Sequence, residues 1–313
     1  MSTGTPARTY PSADTALGHR DSRFFGEGFK RVTHALTSIS VEKDTIEATA
    51  GIRTPGTWSK KGDSHQRPHL STLDAMLLGA QLTGLYTAHS FNHDNSGFSV
   101  TAVKVRAGNT PDEEQLDHFP VTARHLSTKD TPRGKETVME CHTGSMTVTV
   151  TARHNGTHTP DQPGHYPLPE HLPGTWNNAP YGADHHTRSQ LLTDLAVDPQ
   201  ALTASGKLTI NGQPRDGQHV TAIDLFVSVL QLAQVLLYDL DGLDRASSNT
   251  LWMRRTDITP GLSQETSPAS QRLAIRLEDC KQLLTKEGTW RAARIHADHA
   301  GIALDCGVVH LLP

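Results

Sequence analysis

Two long segments of the chain are apolar on every face of a helix: "HLSTLDAMLLGAQL" at 69–82 and "HVTAIDLFVSVLQL" at 219–232. A helix on a protein surface has one apolar stripe, whereas a helix that is apolar all round is enclosed. The segment 222–238 is just long enough to span a membrane, but it contains Asp224, Gln231 and Gln234. We therefore predict two helices that are buried within protein, and no membrane span.

Each apolar helix is followed by segments in which apolar and polar residues alternate, the pattern of β-strands. After the first helix these are "GFSVTAVKVRAG", "FPVTARHLST", "ETVMEC" and "MTVTVTARH"; after the second they are "NTLWMRRTDI", "QRLAIRLED", "TWRAARIHAD" and "IALDCGVVHLL". Another strand segment precedes each helix, "HALTSISVEKDTIEATAGI" and "GKLTINGQ". Each half of the chain thus reads as strand, long helix, then three or four antiparallel strands.

The two helices also share polar residues, which apolar core composition does not explain. His69, Asp74 and Gln81 recur as His219, Asp224 and Gln231, each shifted by 150 positions. Such internal repetition indicates a duplicated module. A curved antiparallel sheet around one helix is the layout of a hot-dog module, so we predict an α+β fold of the double hot-dog type.

The repeat sets the domain boundaries. We expect a flexible N-terminal tail at 1–22, a first hot-dog repeat at 23–154 and a second repeat at 190–313. The residues between the repeats, 155–189, are rich in Pro, Gly, His and Asn and read as a linker or folded-over loop.

Charge and cysteine content narrow the possible functions. The 313 residues carry a net charge of −4, with no long basic run, which argues against a nucleic-acid surface. The three cysteines are scattered, and the N-terminus lacks an apolar signal segment. Both features suit reduced thiols in the cytoplasm better than a secreted disulfide framework.

The repeated polar residues allow two interpretations. In the structural one, Ser71-x-x-Asp74 and Thr221-x-x-Asp224 are capping boxes, each worth about 1 kcal/mol of helix stability. In the catalytic one, the free amides of the helix N-terminus hold a thioester carbonyl while aspartate and histidine move protons. The candidate catalytic residues are then His69, Asp74, His219 and Asp224, and Gln81 and Gln231 would bind substrate. The sequence leaves open which of the two copies is active.

Other motifs add candidates. Trp176, Asn177 and Tyr181 form an aromatic-plus-amide group that either binds a sugar or pins the linker onto the core. Arg254 could meet the phosphate of an acyl carrier, although a solvated strand face is the simpler role. The nineteen histidines follow no metal-ligand spacing and no HExxH occurs, so we predict neither a metal site nor a cofactor.

Three resemblances bear on function. His-x4-Asp is similar to the second half of polyketide dehydratase domains, but the position four residues after Asp holds Leu78 or Ser228, and the His-x3-Gly-x4-Pro motif is missing. The whole chain from about 24 to 312 resembles the avirulence D (AvrD) family, through "FFGEGFKRV", "HLSTLDAMLLGAQL", "GTWNNAPYG" and "HVTAIDLF" followed by "SNTLWMRR". Butyrolactone synthases of the A-factor type look like related enzymes with the same hot-dog layout.

The AvrD resemblance implies an acyltransferase or condensing enzyme of syringolide biosynthesis. It would join a 3-oxoacyl group, delivered as a thioester by acyl carrier protein or coenzyme A, to a ketose such as xylulose. The alternatives are a 3-hydroxyacyl-thioester dehydratase or thioesterase on the same fold, or a non-catalytic acyl-binding protein. Because the duplication supplies the pairing that single hot dogs gain by dimerising, either a monomer or a homodimer is expected.

Overall fold

The computed structural model describes residues 7–93, 97–159, 162–172, 180–181, 184–212, 220–261 and 270–313. The chain divides into two compact units, each built around one long helix. We call them the first-repeat unit, which contains 32–54 and 68–184, and the second-repeat unit, which contains 1–31, 55–67 and 185–313.

Strands and helices are numbered along the chain. They are β1 (Arg8–Ser12), α1 (Ala13–Leu17), β2 (Thr33–Glu42), β3 (Thr45–Arg53), β4 (Lys60–Lys61), β5 (Ser64–His65), α2 (Thr72–Phe91), β6 (Ser99–Arg106), β7 (Phe119–Thr131), β8 (Gly134–Thr143), β9 (Met146–His154), β10 (Gly164–Tyr166), β11 (Ser189–Asp198), β12 (Thr203–Asn211), α3 (Ala222–Asp241), β13 (Trp252–Pro260), β14 (Ser270–Thr285), β15 (Gly288–His299) and β16 (Ile302–Leu311). Short 3-10 turns occupy Arg20–Ser22, Gly28–Arg31, Pro169–His171 and His185–Thr187.

The two units have the same strand order. In the first-repeat unit the antiparallel order is β6-β9-β8-β7-β3-β2, with β10 added beside β2. In the second-repeat unit it is β13-β16-β15-β14-β12-β11, with β1 added beside β11. Element by element, the second order reproduces the first, which identifies the units as two copies of one module.

Each sheet packs its apolar face against its helix. Alternate residues of β9 are buried, and α2 contacts strands β2, β3, β6, β7, β8 and β9. In the same way α3 contacts β11, β12, β14, β15 and β16. Because a sheet surrounds each helix, apolar residues are buried on all its sides. The double hot-dog fold predicted from the sequence is confirmed.

Helix α3 is the one described helix that could cross a membrane by length and composition. Its most apolar stretch has a mean hydropathy of 1.6, but 89% of that stretch is buried inside the protein. It is the core helix of its unit, as the polar residues within it predicted.

The structure differs from the predicted boundaries in the N-terminal segment and in the linker. Instead of a flexible tail up to residue 22, β1 pairs with β11 and α1 follows, capped by Ser12. Arg8 and Tyr10 both bond to Asp239 of α3, at 3.2 and 2.6 Å. Within the predicted linker, β10 pairs with β2. These pairings join residues far apart in sequence, which local composition does not reveal.

Candidate functional site

Asp74 begins the candidate site, in the first turn of α2. Ser71 caps the helix, and both its backbone N–H (2.8 Å) and its hydroxyl (2.6 Å) donate to Asp74 Oδ2. The Ser71 hydroxyl also accepts from the Asp74 N–H at 3.2 Å. This completes the predicted capping box. Asp74 is only 1% exposed, so its carboxylate makes its contacts inside the protein rather than with solvent.

The other oxygen of this carboxylate binds a histidine from the neighbouring strand. His34 Nε2 on β2 donates to Asp74 Oδ1 at 2.8 Å. The His34 side chain is 4% exposed, and its second nitrogen, Nδ1, has no hydrogen-bond partner among the described residues. Because an ionised carboxylate only accepts hydrogen bonds, it fixes the proton on Nε2 and leaves Nδ1 as a base. The pair is therefore suited to moving protons.

Gln81 lies two turns beyond Asp74 on α2. It is half-buried, whereas every other residue from Thr72 to Ala88 is buried. Among the described residues it has no hydrogen-bond partner. An amide in this position is available to a ligand, which is consistent with the predicted substrate-binding role of Gln81.

Asp224 holds the equivalent position on α3, but its surroundings differ. Arg188 contacts it through Nε, 3.0 Å from Oδ2, and through Nη2, 2.7 Å from Oδ2. Gln190 Nε2 donates to Oδ1 at 2.7 Å, and the Thr221 N–H and hydroxyl complete a second capping box. The Asp224 and Arg188 side chains are each 1% exposed. Because both partners of this ion pair are buried, the Asp224 carboxylate is fully engaged within the protein.

Gln231 is also engaged by an arginine. Arg23, from the N-terminal segment, donates through Nη1 to Gln231 Oε1 at 2.8 Å and forms an ion pair with Asp14. Burial lowers the pKa of Arg23 to about 10, against the opposing attraction of Asp14. Gln231 also donates to the Val227 carbonyl at 3.3 Å and is 3% exposed. Its donor and acceptor atoms are thus both used within the protein.

His34 and Gln190 are counterparts in the two copies. β2 and β11 each contain a β-bulge with a residue of positive φ, Ser38 in one and Asp194 in the other. Each counterpart lies four residues before that position and pairs with an isoleucine of the next strand, Ile52 or Ile210. The first copy thus has a titratable imidazole where the second has an amide.

Sequence reasoning missed four of these residues: His34, Arg188, Gln190 and Arg23. The catalytic interpretation paired His69 with Asp74, but the imidazole bonded to Asp74 is that of His34. His69 itself is half-buried just before the helix. The sequence signal that could have revealed them is the matching spacing of polar residues in the strands before the two helices. To recognise this match, one must know where the β-bulges of those strands lie.

The remaining predicted site residues fall into three groups. His219, Trp176 and Asn177 lie outside the described residues. Tyr181 is 6% exposed and donates its hydroxyl to the Met76 carbonyl of α2 at 3.0 Å, a geometry that favours pinning over sugar binding. Arg254 is exposed on β13, as expected of a solvated strand face.

Comparison with solved structures returns similar proteins at low identity and low TM-score. The tesB protein of Mycobacterium avium subsp. paratuberculosis is 9% identical with a TM-score of 0.42, covering 86% of this chain and 94% of that one. A hot-dog protein of unknown function from Alicyclobacillus acidocaldarius is 11% identical with a TM-score of 0.41, covering 88% and 96%. The dehydratase domain of RzxB from Pseudomonas fluorescens is 10% identical with a TM-score of 0.37, covering 85% and 94%. At these values the likenesses say nothing about substrate or reaction.

No curated protein matches the sequence. The family model described as Pseudomonas avirulence D protein (AvrD) matches residues 8–313, nearly the entire chain. This match agrees with the resemblance found in the sequence motifs between residues 24 and 255. The chain belongs to the AvrD family.

Proposed function

We propose that this protein is an acyl-thioester enzyme that transfers a 3-oxoacyl group to a ketose such as xylulose, giving a syringolide-like acylated sugar. The observation that carries the proposal is the His34–Asp74 pair at the N-terminus of the buried helix α2. Membership of the AvrD family supports the substrate classes. The three free cysteines are consistent with a cytoplasmic setting, where thioester carriers are made.

The first turn of α2 can receive the thioester carbonyl. The Thr72 and Leu73 amides have no acceptor among the described residues, because Ser71 caps the amide of Asp74 instead. Free amides at a helix N-terminus carry a partial positive charge that stabilises an oxyanion. One such donor is typically worth roughly a hundred- to a thousandfold in rate. A covalent nucleophile is therefore not required.

His34 performs the proton transfers in this mechanism. Its Nδ1 takes the proton from a ketose hydroxyl as that oxygen attacks the thioester carbon, and Asp74 stabilises the imidazolium that forms. When the tetrahedral intermediate collapses, the C–S bond breaks and the imidazolium returns the proton to the leaving thiolate. The ester product has an acidic carbon between two carbonyls. This carbon loses a proton and attacks the ketone carbon of the ketose, whose oxygen takes up a proton, so that the ring closes. We assign these transfers to His34 rather than His69 because His34 bonds to Asp74.

The decisive assay measures thiol release from a 3-oxoacyl thioester with and without xylulose. Release that depends on the sugar, together with an acylated sugar product, is the expected result. Release without sugar would identify a thioesterase, loss of water from a 3-hydroxyacyl thioester a dehydratase, and binding without turnover an acyl-binding protein. Each of these three results contradicts the proposal.

His34→Gln tests the residue assignment, because the second copy already shows that glutamine can bond to the aspartate from this position. The variant should fold normally and lose about a hundred- to ten-thousandfold in rate, the usual contribution of general acid–base catalysis. His142→Gln is the matched control, since His142 is an exposed histidine of the same unit. Equal activity of the two variants would remove His34 from the mechanism.

A further inference from the structure

Four cationic side chains of the second-repeat unit lie near one another, and one carboxylate pairs with two of them. Arg20 Nε lies 2.9 Å from Asp14 Oδ2, and Arg23 forms an ion pair with the same carboxylate. Arg245 is close enough to Arg23 and to Lys61 for its charge to lower the pKa of each. We call Arg20, Arg23, Lys61 and Arg245 the cation cluster.

Two members of the cation cluster contact only uncharged oxygens. Lys61 Nζ donates to the Ser248 carbonyl at 2.9 Å. Arg245 Nη2 donates to the Ser59 hydroxyl at 3.1 Å and to the Ser22 carbonyl at 3.3 Å. No carboxylate in the described part of the chain forms an ion pair with either side chain. Four positive charges are therefore offset by the one carboxylate of Asp14.

The next carboxylate along the chain does not change this balance. Asp244 precedes Arg245, but its Oδ1 accepts from the N–H of Ser247 at 2.8 Å and from its hydroxyl at 3.0 Å. These bonds lower the pKa of Asp244 and hold its carboxylate at an exposed loop.

Burial makes the excess charge costly. It lowers the pKa of Lys61 to about 8, and the nearby Arg245 charge contributes to the same decrease. Burial likewise lowers the pKa of Arg23 to about 10. Partly buried cations are normally paired, because removing a charge from water is expensive. An arrangement that holds several cations together with fewer carboxylates than positive charges is typical of a site that binds an anion.

An unused hydrogen-bond donor lies at the same place. Arg23 is 3% exposed, and its Nε has no partner among the described residues. The Tyr238 side chain, 4% exposed, lies near Arg245 and Ser248 and adds a second buried donor. Buried polar groups are almost always hydrogen-bonded in folded proteins, so the orphan Nε beside excess positive charge indicates a missing acceptor.

We propose that the cation cluster, with the Tyr238 hydroxyl, binds a phosphate group, either a phosphate monoester or a pyrophosphate. A phosphate carries up to two negative charges and several acceptor oxygens, which fits the excess charge and the number of donors better than a carboxylate does. The phosphate belongs either to the acyl carrier (the pantetheine arm or coenzyme A) or to a phosphorylated sugar. All residues of the site lie in the second-repeat unit. The choice of these two phosphate sources rests on the proposed acyl transfer, whereas anion binding at the site does not.

Calorimetric titration of the full chain with pyrophosphate, at constant ionic strength set with chloride, tests the site. Saturable binding is expected, and Lys61→Met and Arg245→Met should each weaken it about ten- to a hundredfold, the effect of losing one charged hydrogen bond. Near pH 8 binding should also take up protons, because an anion favours the charged form of Lys61. Lys286→Met, which removes an exposed lysine of the same unit, should leave the affinity unchanged.

Parallel titrations separate the possible sources of the phosphate. Coenzyme A and 4′-phosphopantetheine represent the carrier, xylulose 5-phosphate represents the sugar, and pantetheine and xylulose serve as phosphate-free controls. The proposal is overturned if pyrophosphate does not bind saturably, or if Lys286→Met weakens binding as much as Lys61→Met. It is also overturned if Lys61→Met and Arg245→Met only lower the melting temperature while the affinity stays the same. Because these are binding measurements, their failure is distinct from a failure of turnover.

Discussion

Asp74 and Asp224 show how one neighbour determines what a carboxylate can do. Both belong to the capping box of a buried helix, and both receive a backbone N–H and a hydroxyl at the same oxygen. The remaining oxygen of Asp74 is bonded to the imidazole of His34. Asp224 is bonded instead to the amide of Gln190 and the guanidinium of Arg188. The capping interpretation therefore describes Asp224 fully, whereas Asp74 combines capping with a proton-transfer geometry.

Replacing each aspartate by asparagine should separate these roles. Asp224→Asn leaves Arg188 as a buried charge without its partner, so the free energy of unfolding should fall by about 3–5 kcal/mol. Asp74→Asn weakens a cap and should cost about 1 kcal/mol, yet it should abolish activity. Urea denaturation gives the stabilities, and thiol release gives the activities. Equal losses of stability, with activity retained in Asp74→Asn, would support capping alone at both positions.

At the residue scale the sequence revealed half of the site. The repeated aspartates and glutamines were visible because they recur at fixed spacing within helices that are otherwise apolar. His34 was not visible, because it is one of nineteen histidines and lies forty residues from Asp74. The contact depends on the register of β2 beside α2, which only the folded chain defines. The contact of Arg188 was also not visible in the sequence, and its segment was assigned to the linker.

A chain of side-chain hydrogen bonds connects β7, β8 and β9 in the first-repeat unit. His125 Nε2 lies 2.8 Å from Thr128 Oγ1, which lies 2.7 Å from Thr137 Oγ1, which in turn lies 2.8 Å from His154 Nε2. His154 is fully buried, and its ring stacks on that of His93. Burial, helped by the nearby His93 and Lys135, lowers the pKa of His154 to about 4.

This lowered pKa predicts acid sensitivity. The unfolded chain protonates His154 near its ordinary pKa of about 6.5, whereas the folded protein resists protonation down to about 4. The unfolded state thus binds more protons between these values, and stability should fall as the pH drops through this range. A difference of one in pKa between the two states corresponds to about 1.4 kcal/mol, so roughly 3 kcal/mol of stability is at stake by pH 4.

His154→Gln provides the measurement of this effect. Glutamine can still bond to Thr137 but does not titrate, so its unfolding free energy should depend less on pH between 6.5 and 4 than that of the original protein. Denaturant unfolding at several pH values in this interval gives both curves. His142→Gln, which changes an exposed histidine of β8, should follow the original curve. Parallel curves for His154→Gln would show that His154 is not the titrating group.

At the element scale the sequence predicted the secondary structure well and its boundaries less well. The apolar pattern of the sequence predicts α2, α3 and the strands after them. A strand buried on one face alternates apolar and polar residues, whereas an enclosed helix is apolar on all its faces. The strands β1 and β10 are short and lie at the edges of their sheets. Their residues carry little periodic signal, and tertiary pairing with β11 and β2 defines them instead.

At the scale of the whole molecule, duplication has left one fold and two different sites. The strand orders of the two units match throughout, so the sheets have been kept. The polar positions have diverged: Asp224 and Gln231 are bonded by Arg188 and Arg23, while Asp74 bonds to His34 and Gln81 remains available. The first copy therefore keeps a histidine–aspartate pair and an available amide, whereas the corresponding groups of the second copy are bonded by arginines.

This divergence predicts one acyl site per chain. A 3-oxoacyl pantetheine analogue, with a methylene in place of the thioester sulfur, should bind with a stoichiometry of one, because Arg188 and Arg23 already use the polar groups of the second helix.

Gln81→Ala should weaken this binding, since it removes an available amide from the first helix. Gln231→Ala should leave the affinity unchanged and instead lower stability, because the buried guanidinium of Arg23 loses its acceptor. Calorimetry provides the stoichiometry and both affinities. The prediction is wrong if calorimetry finds two equivalent sites per chain, or if both variants lose affinity equally. Either result would show that the second copy still binds substrate and that its arginines change position when it does.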